Sequence, residues 1–279
     1  MSVADKRIDG GYRCDSVIDV YRESGLLDAV RRLVSSAAFL SGPIYPALAL
    51  PIVWVNDRLR ATAALDTLLR GKRVLVLGSG PSATDLESIP EDVVVLTCKL
   101  APAVLSDKNL RRRVDLYYYP SLRVDAVGRE RRQQLASLVR QMCIDLLVCE
   151  DLLTLLDVLP LRAAYSRLVM DFTANQRLLR HLIAPTTVKD IRGRSYCPWT
   201  STGVRLIQYA VYFGAREIFV IGIDLGANGY ASGDAMRGWH HEDIDGNFLK
   251  ILSDRHDHLY SLSANSPVAE YFPVRAWHS

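Results

Sequence analysis

Five short apolar segments, most of them rich in β-branched residues, recur along the chain with helix-length intervals between them. They are RVLVL at 73–77, VVVLT at 93–97, VDLYYY at 114–119, IDLLVC at 144–149 and EIFVIGI at 217–223. The intervening stretches 129–142 and 201–214 have the apolar spacing of helices. Strands that alternate with helices predict βαβ crossovers. We therefore expect an α/β fold, a Rossmann-like and mostly parallel sheet with helices on both faces.

The stretch 226–266 has a different character. It is rich in Gly, Asp, His and Asn and shows little apolar periodicity. This pattern predicts a long irregular excursion near the C-terminus, after the strand at 217–223. Long loops at strand ends of α/β sheets often carry substrate sites.

The N-terminal region 1–60 differs again, because residues 33–56 include no charged side chain. On length alone this stretch matches a membrane span. Pro43, Pro46 and Pro51 interrupt a straight helix, which favours a helix and apolar loop packed on the main domain or lying on a membrane surface. We expect an N-terminal extension over 1–60 and one α/β domain over 61–279.

Composition excludes several classes of protein. Thirty-four Lys and Arg against 31 Asp and Glu give a net charge of +3 over 279 residues, which does not favour a nucleic-acid partner. Five cysteines without a CxxC pair argue against a disulfide framework or a Cys-based zinc site. Charged residues precede the first apolar run, unlike a secretory signal. We expect a cytoplasmic protein, with contact to the inner face of the membrane left open.

The strongest local signal is a glycine turn that directly follows the strand at 73–77. A buried strand, then Gly78, Gly80 and a polar helix start form a typical phosphate site, because glycines permit positive φ and close approach, and the N–H groups of the next helix face the anion. Pro81 suits the first helical turn, and Ser79 or Ser82 can cap the helix or touch a ligand.

Other interpretations of this turn stay open. Gly78, Gly80 and Ala83 also satisfy the dinucleotide fingerprint G-x-G-x-x-G/A. An NAD site expects an acidic residue about 20 positions on, where this chain has Lys99, a residue that tolerates the 2′-phosphate of NADP. A tight turn without any ligand is the third interpretation, since lone glycine motifs are weak signals.

Four blocks in order resemble the bacterial sialyltransferases of glycosyltransferase family 42 and the related GxGPS proteins, which include archaeal pterin diphosphokinases and flagellin-modification factors. The family motifs are G-N-G-P-S, F-R-C-N, F-Y-N-P-S and I-T-S-G followed by a helix and G-Y-K-E-I-Y-L-S-G-I-D. This chain has GSGPS at 78–82, LTCK at 96–99, YYYPS at 117–121, and TSTG at 200–203 with GAREIFVIGID at 214–224. The match covers about residues 72–265.

The resemblance implies that 61–279 is a GT-A-like, Rossmann-like nucleotide-binding catalytic domain. Such a domain binds a CMP-activated sugar without a metal and passes the sugar to an acceptor hydroxyl. It implies that the loop after Asp224 acts as a lid. It also implies a set of residues around the nucleotide: Gly78, Ser79, Gly80, Pro81, Ser82, Lys99, Tyr119, Ser201, Thr202, Gly203 and Asp224. From the residues themselves, Ser201 and Thr202 lie where a helix begins, so that their hydroxyls and free N–H groups can hold phosphate oxygens.

The chain departs from the family at several positions. Ser79, Lys99 and Tyr119 stand where the family has asparagine, and Trp199 replaces an arginine. In the family, two tyrosines in the loop after G-I-D assist the departing phosphate. One of them faces Gly226 here and the other an uncertain position, and Tyr230 is the one nearby candidate. In the family stretch S-H-Y-I-G-H-S, His258 matches the first histidine, whereas the position of the expected base is closer to Leu262.

Glycosyl transfer needs a base near the acceptor hydroxyl and donors or positive charge on the leaving phosphate. His256 or His258 can serve as the base, oriented by Asp254 or Asp257, because histidine titrates near neutral pH. The alternative for each histidine is a solvated loop or capping residue. A metal site in HHEDID at 240–245 is also open, although this spacing is not a known signature.

Together these observations predict an enzyme that transfers sialic acid or a similar acidic sugar from a CMP donor to a glycan or glycolipid, in lipopolysaccharide or capsule synthesis. We expect no cofactor, no bound metal and no nucleic acid, and a homo-oligomer stays open. One alternative is a pterin-type diphosphokinase, which needs ATP and Mg²⁺. Another is a non-catalytic nucleotide-sugar-binding protein.

Overall fold

Seven parallel strands form one sheet in the computed structural model, which describes residues 61–111, 113–120, 126–149, 152–170, 200–225 and 242–277. The strands lie in the order β5-β4-β3-β2-β1-β6-β7. Their bounds are β1 Arg73–Leu77, β2 Val93–Cys98, β3 Arg113–Tyr119, β4 Cys143–Cys149, β5 Tyr165–Met170, β6 Glu217–Ile221 and β7 Leu259–Ser261. The predicted α/β fold is confirmed, with each of the five predicted strands in place. The predicted extension 1–60, the apolar stretch 33–56 and Tyr230 lie outside the described residues.

Helices cover both faces of the sheet. They are α1 Ala61–Leu69, α2 Ala101–Asp107, α3 Ala126–Gln141, α4 Leu152–Val158, α5 Thr202–Tyr212 and α6 Glu242–Arg255, together with 3-10 segments at Pro81–Asp85, Leu159–Ala164 and Pro267–Glu270. Side chains on one face of the sheet, such as Val74 and Val76, pack with α1, α5 and α6. Those on the other face, such as Leu75 and Leu77, pack with α2, α3 and the first two 3-10 segments. Because both faces are buried, the strands read as continuous apolar runs.

The strand order reverses beside β1. From β1 to β5 the chain moves along the sheet in one direction, and β6 then pairs with the free side of β1. In open α/β sheets ligands bind outside the carboxyl ends of the strands, at such a switch point. The glycine turn follows β1 at this point, and residues 222–225 follow β6. We call this side of the sheet the carboxyl edge and the opposite side the amino edge.

The prediction of an irregular excursion over 226–266 is wrong for its second half. Helix α6 occupies Glu242–Arg255, because Phe248, Leu249 and Leu252 recur at helical spacing. These three side chains are buried in the core, although most of their neighbours in the sequence are polar. Strand β7 is three residues long, which is too short to show a period of two. The sequence prediction also omits β5, where Ser166 and Arg167 are exposed. The lid predicted after Asp224 falls on 226–241, outside the described residues.

No helix in the described part of the chain is long and apolar enough to cross a membrane.

A buried carboxylate lies between β2 and β3. Asp115 on β3 accepts a hydrogen bond from the Val95 N–H (2.7 Å) and lies 3.3 Å from the Arg111 guanidinium. Burial raises the pKa of the Asp115 carboxyl above its ordinary value of 3.8, although Val95 and Arg111 act in the opposite direction. The folded protein therefore holds this proton more tightly than the unfolded chain.

This raised pKa predicts a pH dependence of stability. Since the folded state binds more protons than the unfolded state just above pH 3.8, the free energy of unfolding should fall as the pH rises through that window. In Asp115→Asn this part of the slope should disappear. Urea unfolding between pH 4 and 7 measures it, with Asp92→Asn as an exposed-carboxylate control. Equal slopes in Asp115→Asn and the wild type would contradict the assignment.

Candidate functional site

The glycine turn is packed directly against the end of β6. The Gly78 N–H donates to Ile221 O and the Gly80 N–H to Gly222 O, each at 2.8 Å. A Cβ on Gly78 would lie 2.1 Å from Gly222 O. Gly222 has φ +75°, but neither Gly78 nor Gly80 has positive φ. The turn therefore does not use the positive φ that its glycines permit, and the close approach is to protein backbone.

Asp224 occupies the position that an anion was predicted to take. Its Oδ2 accepts from the Ser82 N–H (2.7 Å), and its Oδ1 accepts from Ser82 Oγ (2.5 Å) and Ser266 Oγ (3.2 Å). Ser82 Oγ also accepts from the Gly222 N–H (3.0 Å). Asp224 is 7% exposed, and the 3-10 segment that follows the turn has only five residues. Asp224 and Ser82 therefore join β1 to β6, and their contact with a nucleotide stays a prediction.

Ser79, in the middle of the turn, has an N–H and a hydroxyl that are available to a ligand. Among the described residues neither its N–H nor its hydroxyl has a protein hydrogen bond, and it is 8% exposed. Pro81 takes the first position of the 3-10 segment, where its missing N–H removes no hydrogen bond. Of the predicted turn contacts, Ser79 keeps free donors for a ligand.

Lys99 lies at the carboxyl edge next to this turn. It follows β2 with φ +52°, and its carbonyl accepts from the Tyr117 hydroxyl (2.8 Å). Thr97, two residues earlier, donates through Oγ1 to Leu77 O at the end of β1 (3.1 Å). These two bonds hold the ends of β1, β2 and β3 together. They fix the backbone that carries the partly exposed Lys99 side chain.

Tyr119, another predicted nucleotide contact, packs in the core. It ends β3 at the carboxyl edge, but it is fully buried, and its ring lies edge to face against Tyr117 with centroids 6.3 Å apart. It belongs to the apolar layer on the face covered by α2 and α3. Tyr119 is therefore a core residue, and its place around a nucleotide stays a prediction.

The start of α5 lies beside the glycine turn. Ser201 caps the helix, with its hydroxyl accepting from the Val204 N–H (3.5 Å), and its own N–H donates to Asp245 Oδ1 on α6 (2.8 Å). A Cβ on Gly203 would lie 2.9 Å from the Ile223 side chain, next to the turn. Thr202 is 8% exposed. The predicted residues Ser201, Thr202 and Gly203 thus share the carboxyl edge with Ser79 and Lys99.

A buried arginine that the sequence analysis missed lies beneath this edge. Arg205, in the first turn of α5, donates to the Tyr118 hydroxyl and to Thr200 O (3.4 Å), and its guanidinium lies 5.4 Å from the centre of the Tyr118 ring. Burial raises the pKa of the Cys98 thiol, at the end of β2, to about 11, although the charges of Lys99 and Arg205 lower it. Two cations therefore flank the end of β2. A charged residue within the apolar helix pattern was the available signal.

The two predicted histidine bases lie at the amino edge. His256 and His258 precede β7, and His258 O accepts from the Ile218 N–H at the start of β6 (2.9 Å). Four residues of strand, roughly 13 Å, separate Ile218 from Gly222 at the carboxyl edge. The rings of His256 and His258 lie 5.4 Å apart. Burial is the largest cause that lowers the pKa of His256, and the charge of the neighbouring His258 lowers it further. Both histidines therefore lie at the opposite edge of the sheet from the glycine turn, and the role of either one as the base stays a prediction.

Within the described ranges no group of three or more His, Cys, Asp or Glu side chains is placed to hold a metal ion. Of the open metal motif at 240–245, His240 and His241 lie outside those ranges. Asp245 accepts from the Ser201 N–H and thereby ties α6 to the start of α5.

No protein-family model matches the sequence, and no curated protein matches it. The solved structure of the sialyltransferase CstII from Campylobacter jejuni with cytidine-5′-monophosphate is similar over 74% of this chain and 85% of that chain, at 20% identity and a TM-score of 0.51. The monofunctional α-2,3-sialyltransferase Cst-I from the same organism is similar over 73% and 80%, at 17% identity and a TM-score of 0.51. This chain shares their fold. CstII with CMP and a trisaccharide acceptor gives a TM-score of 0.50 at 18% identity, over 73% of this chain and 86% of that one.

Proposed function

We propose that this protein is a glycosyltransferase that moves sialic acid or a similar acidic sugar from a CMP-activated donor to a glycan acceptor. One observation carries the proposal. Blocks that are far apart in the sequence meet at the switch point of a fold shared with sialyltransferases that were solved with CMP. These blocks are the glycine turn at 78–82, Lys99, the start of α5 at 201–203 and residues 222–224 after β6.

The donor phosphate has three groups of hydrogen-bond donors at this edge. Ser79 offers its hydroxyl and N–H, the first turn of α5 offers backbone N–H groups, and Lys99 offers an ammonium. Lys99 and the buried Arg205 both carry positive charge close to Cys98, so the potential at the end of β2 favours an anion. A CMP-linked acidic sugar is negative at its phosphate and its carboxylate, and this edge complements it.

The cations and hydrogen-bond donors around the phosphate also favour the transfer step. When the bond between sugar and phosphate breaks, negative charge grows on the leaving CMP, and preorganised donors and cations stabilise it without needing a metal. In the sequence, Tyr230 and the segment 226–241 come directly after β6 and residues 222–225. We propose that this segment covers the donor and that Tyr230 assists the leaving phosphate.

The acceptor is proposed to be a surface glycan or glycolipid of the lipopolysaccharide or capsule type. The uncharged stretch 33–56 would bring the enzyme to the inner face of the membrane, where lipid-linked acceptors lie. Removal of 1–60 tests this arrangement by sedimentation of the protein with vesicles.

Ligand binding tests the proposal directly. Lys99→Ala removes the partly exposed cation of the site. We expect the Kd for CMP to rise about tenfold, since hydrogen bonds to charged groups contribute about 1.5–3 kcal/mol. Isothermal calorimetry without metal measures it, supported by the rise in melting temperature that CMP causes by mass action. Lys72→Ala is the matched control, because Lys72 is exposed and lies just before β1 at the amino edge.

The calorimetric titrations of the wild-type protein also include CDP, UDP, ATP with Mg²⁺, and NADP. Selective binding of CMP or CDP without metal supports the transferase. Binding of only ATP with Mg²⁺ would replace it with the diphosphokinase, and binding of only NADP with the dinucleotide enzyme. A non-catalytic binding protein would bind CMP yet release none from CMP-sialic acid.

A further inference from the structure

One face of the 3-10 segment Pro81–Asp85 contacts the loops after both β6 and β7. In a 3-10 helix the side chains three residues apart lie one above the other. Ser82 contacts Asp224 after β6, and Asp85 contacts Ser263 and Asn265 after β7. Asp85 therefore lies at the carboxyl edge, one turn beyond Ser82, on the side of β7.

The Asp85 carboxylate is anchored through one oxygen. Its Oδ2 accepts from Ser263 Oγ (2.5 Å) and from Asn265 Nδ2 (3.1 Å). Ser263 is itself fixed, because its hydroxyl accepts from the Asn265 N–H (3.0 Å) and its carbonyl from Ser261 Oγ (2.8 Å). Among the described residues Oδ1 of Asp85 accepts no hydrogen bond, and the residue is exposed. One oxygen holds the group in place while the other is open to a ligand.

Two buried carboxylates near this edge are committed to protein donors. Asp224 is buried and accepts from Ser82 and Ser266, and Asp245 is 2% exposed and accepts from the Ser201 N–H. The paired histidines lie at the amino edge. Of these three carboxylates, Asp85 combines exposure with an oxygen that accepts no hydrogen bond from any residue in the described ranges.

Resting on the proposed glycosyl transfer, we propose that Asp85 is the catalytic base. The acceptor oxygen forms a bond to the anomeric carbon of the donor sugar as the bond from that carbon to the phosphate oxygen breaks. The hydroxyl proton passes to Oδ1 of Asp85, and the bonding electron pair leaves with the CMP phosphate. Solvent then takes the proton from Asp85.

The test measures CMP release from CMP-sialic acid, with water as acceptor and with a galactoside added. Asp85→Asn keeps an oxygen for Ser263 but loses the base, so we expect turnover to fall at least about 10²-fold. The melting temperature and the Kd for CMP should stay close to the wild-type values. Asp85→Ala should regain turnover when sodium formate is added, a rescue that a structural role would not show. Asp92→Asn, an exposed carboxylate before β2 at the amino edge, is the matched control.

The outcomes separate this inference from the proposed function. Wild-type turnover in Asp85→Asn, or no rescue of a folded Asp85→Ala, would overturn the role of Asp85 and leave the transferase in place. Loss of turnover in His258→Ala with Asp85→Asn unaffected would do the same. A wild-type protein that binds no CMP, or releases none from the donor, would overturn both inferences.

Discussion

Gly80→Ala is expected to destabilise the folded protein by about 3 kcal/mol, an effect at the upper end of those caused by overpacking. The backbone at Gly80 has φ −74° and ψ 165°, which alanine adopts without strain. The added Cβ, however, would lie 2.2 Å from Asp224 Oδ2 and 2.9 Å from Asp224 Cβ. Asp224 cannot move away without losing its hydrogen bonds to Ser82 and Ser266. Urea unfolding measures the loss.

Two comparisons isolate that contact. Ser79→Ala, one residue away, changes a side chain that has no hydrogen bond within the part of the chain that the structure describes. It should alter the free energy of unfolding by less than about 1 kcal/mol. In an Asp224→Ala background the new methyl group meets fewer atoms, so the cost of Gly80→Ala should shrink by about 1 kcal/mol or more. Strictly additive effects would contradict the proposed clash.

The position of Gly80 limits what its variants say about function. A valine at this position collides with Asp224 in the same way, so lost nucleotide binding in Gly80→Val would report a damaged β1–β6 junction. Lys99 and Ser79 are the better probes, because their side chains are not part of that junction.

Local pattern predicted most of the sheet. The strand at 73–77 matches β1 residue for residue, since a buried parallel strand is apolar on both faces and needs no partner to be recognised. The glycine turn could also be located from local pattern, because its glycines directly follow that strand. Its partner was not, because Ser82 and Asp224 are 142 residues apart and no local pattern reports such a contact.

The position of the two histidines could not be predicted from the sequence either. A residue that directly precedes a parallel strand lies at the amino edge, so His258 could have been placed correctly if β7 had been recognised. Leu259–Ser261 is too short to give a periodic signal. Asp85 was overlooked because its partners Ser263 and Asn265 follow that same strand.

Arg205→Met is expected to weaken CMP binding about tenfold or more. A unit charge roughly 10 Å from a singly charged phosphate contributes about 1.7 kcal/mol at an effective dielectric constant of 20, which is a factor of roughly 15 to 20 in Kd. Methionine fills much of the same volume, so the apolar contacts of α5 are largely kept. Arg205→Lys retains the charge and should recover part of the affinity.

Arg216→Met is the matched control for this charge. Arg216 is exposed and lies just before β6 at the amino edge, so its loss changes the net charge equally but leaves the field at the end of β2 almost unaltered. Calorimetric titration of each variant with CMP at two ionic strengths gives the comparison. If Arg205→Met and Arg216→Met bind CMP equally well, the buried guanidinium has only a structural role through Tyr118 and Thr200. If Arg205→Met alone loses affinity, a cation beneath the first turn of α5 supplements Lys99 in holding the phosphate.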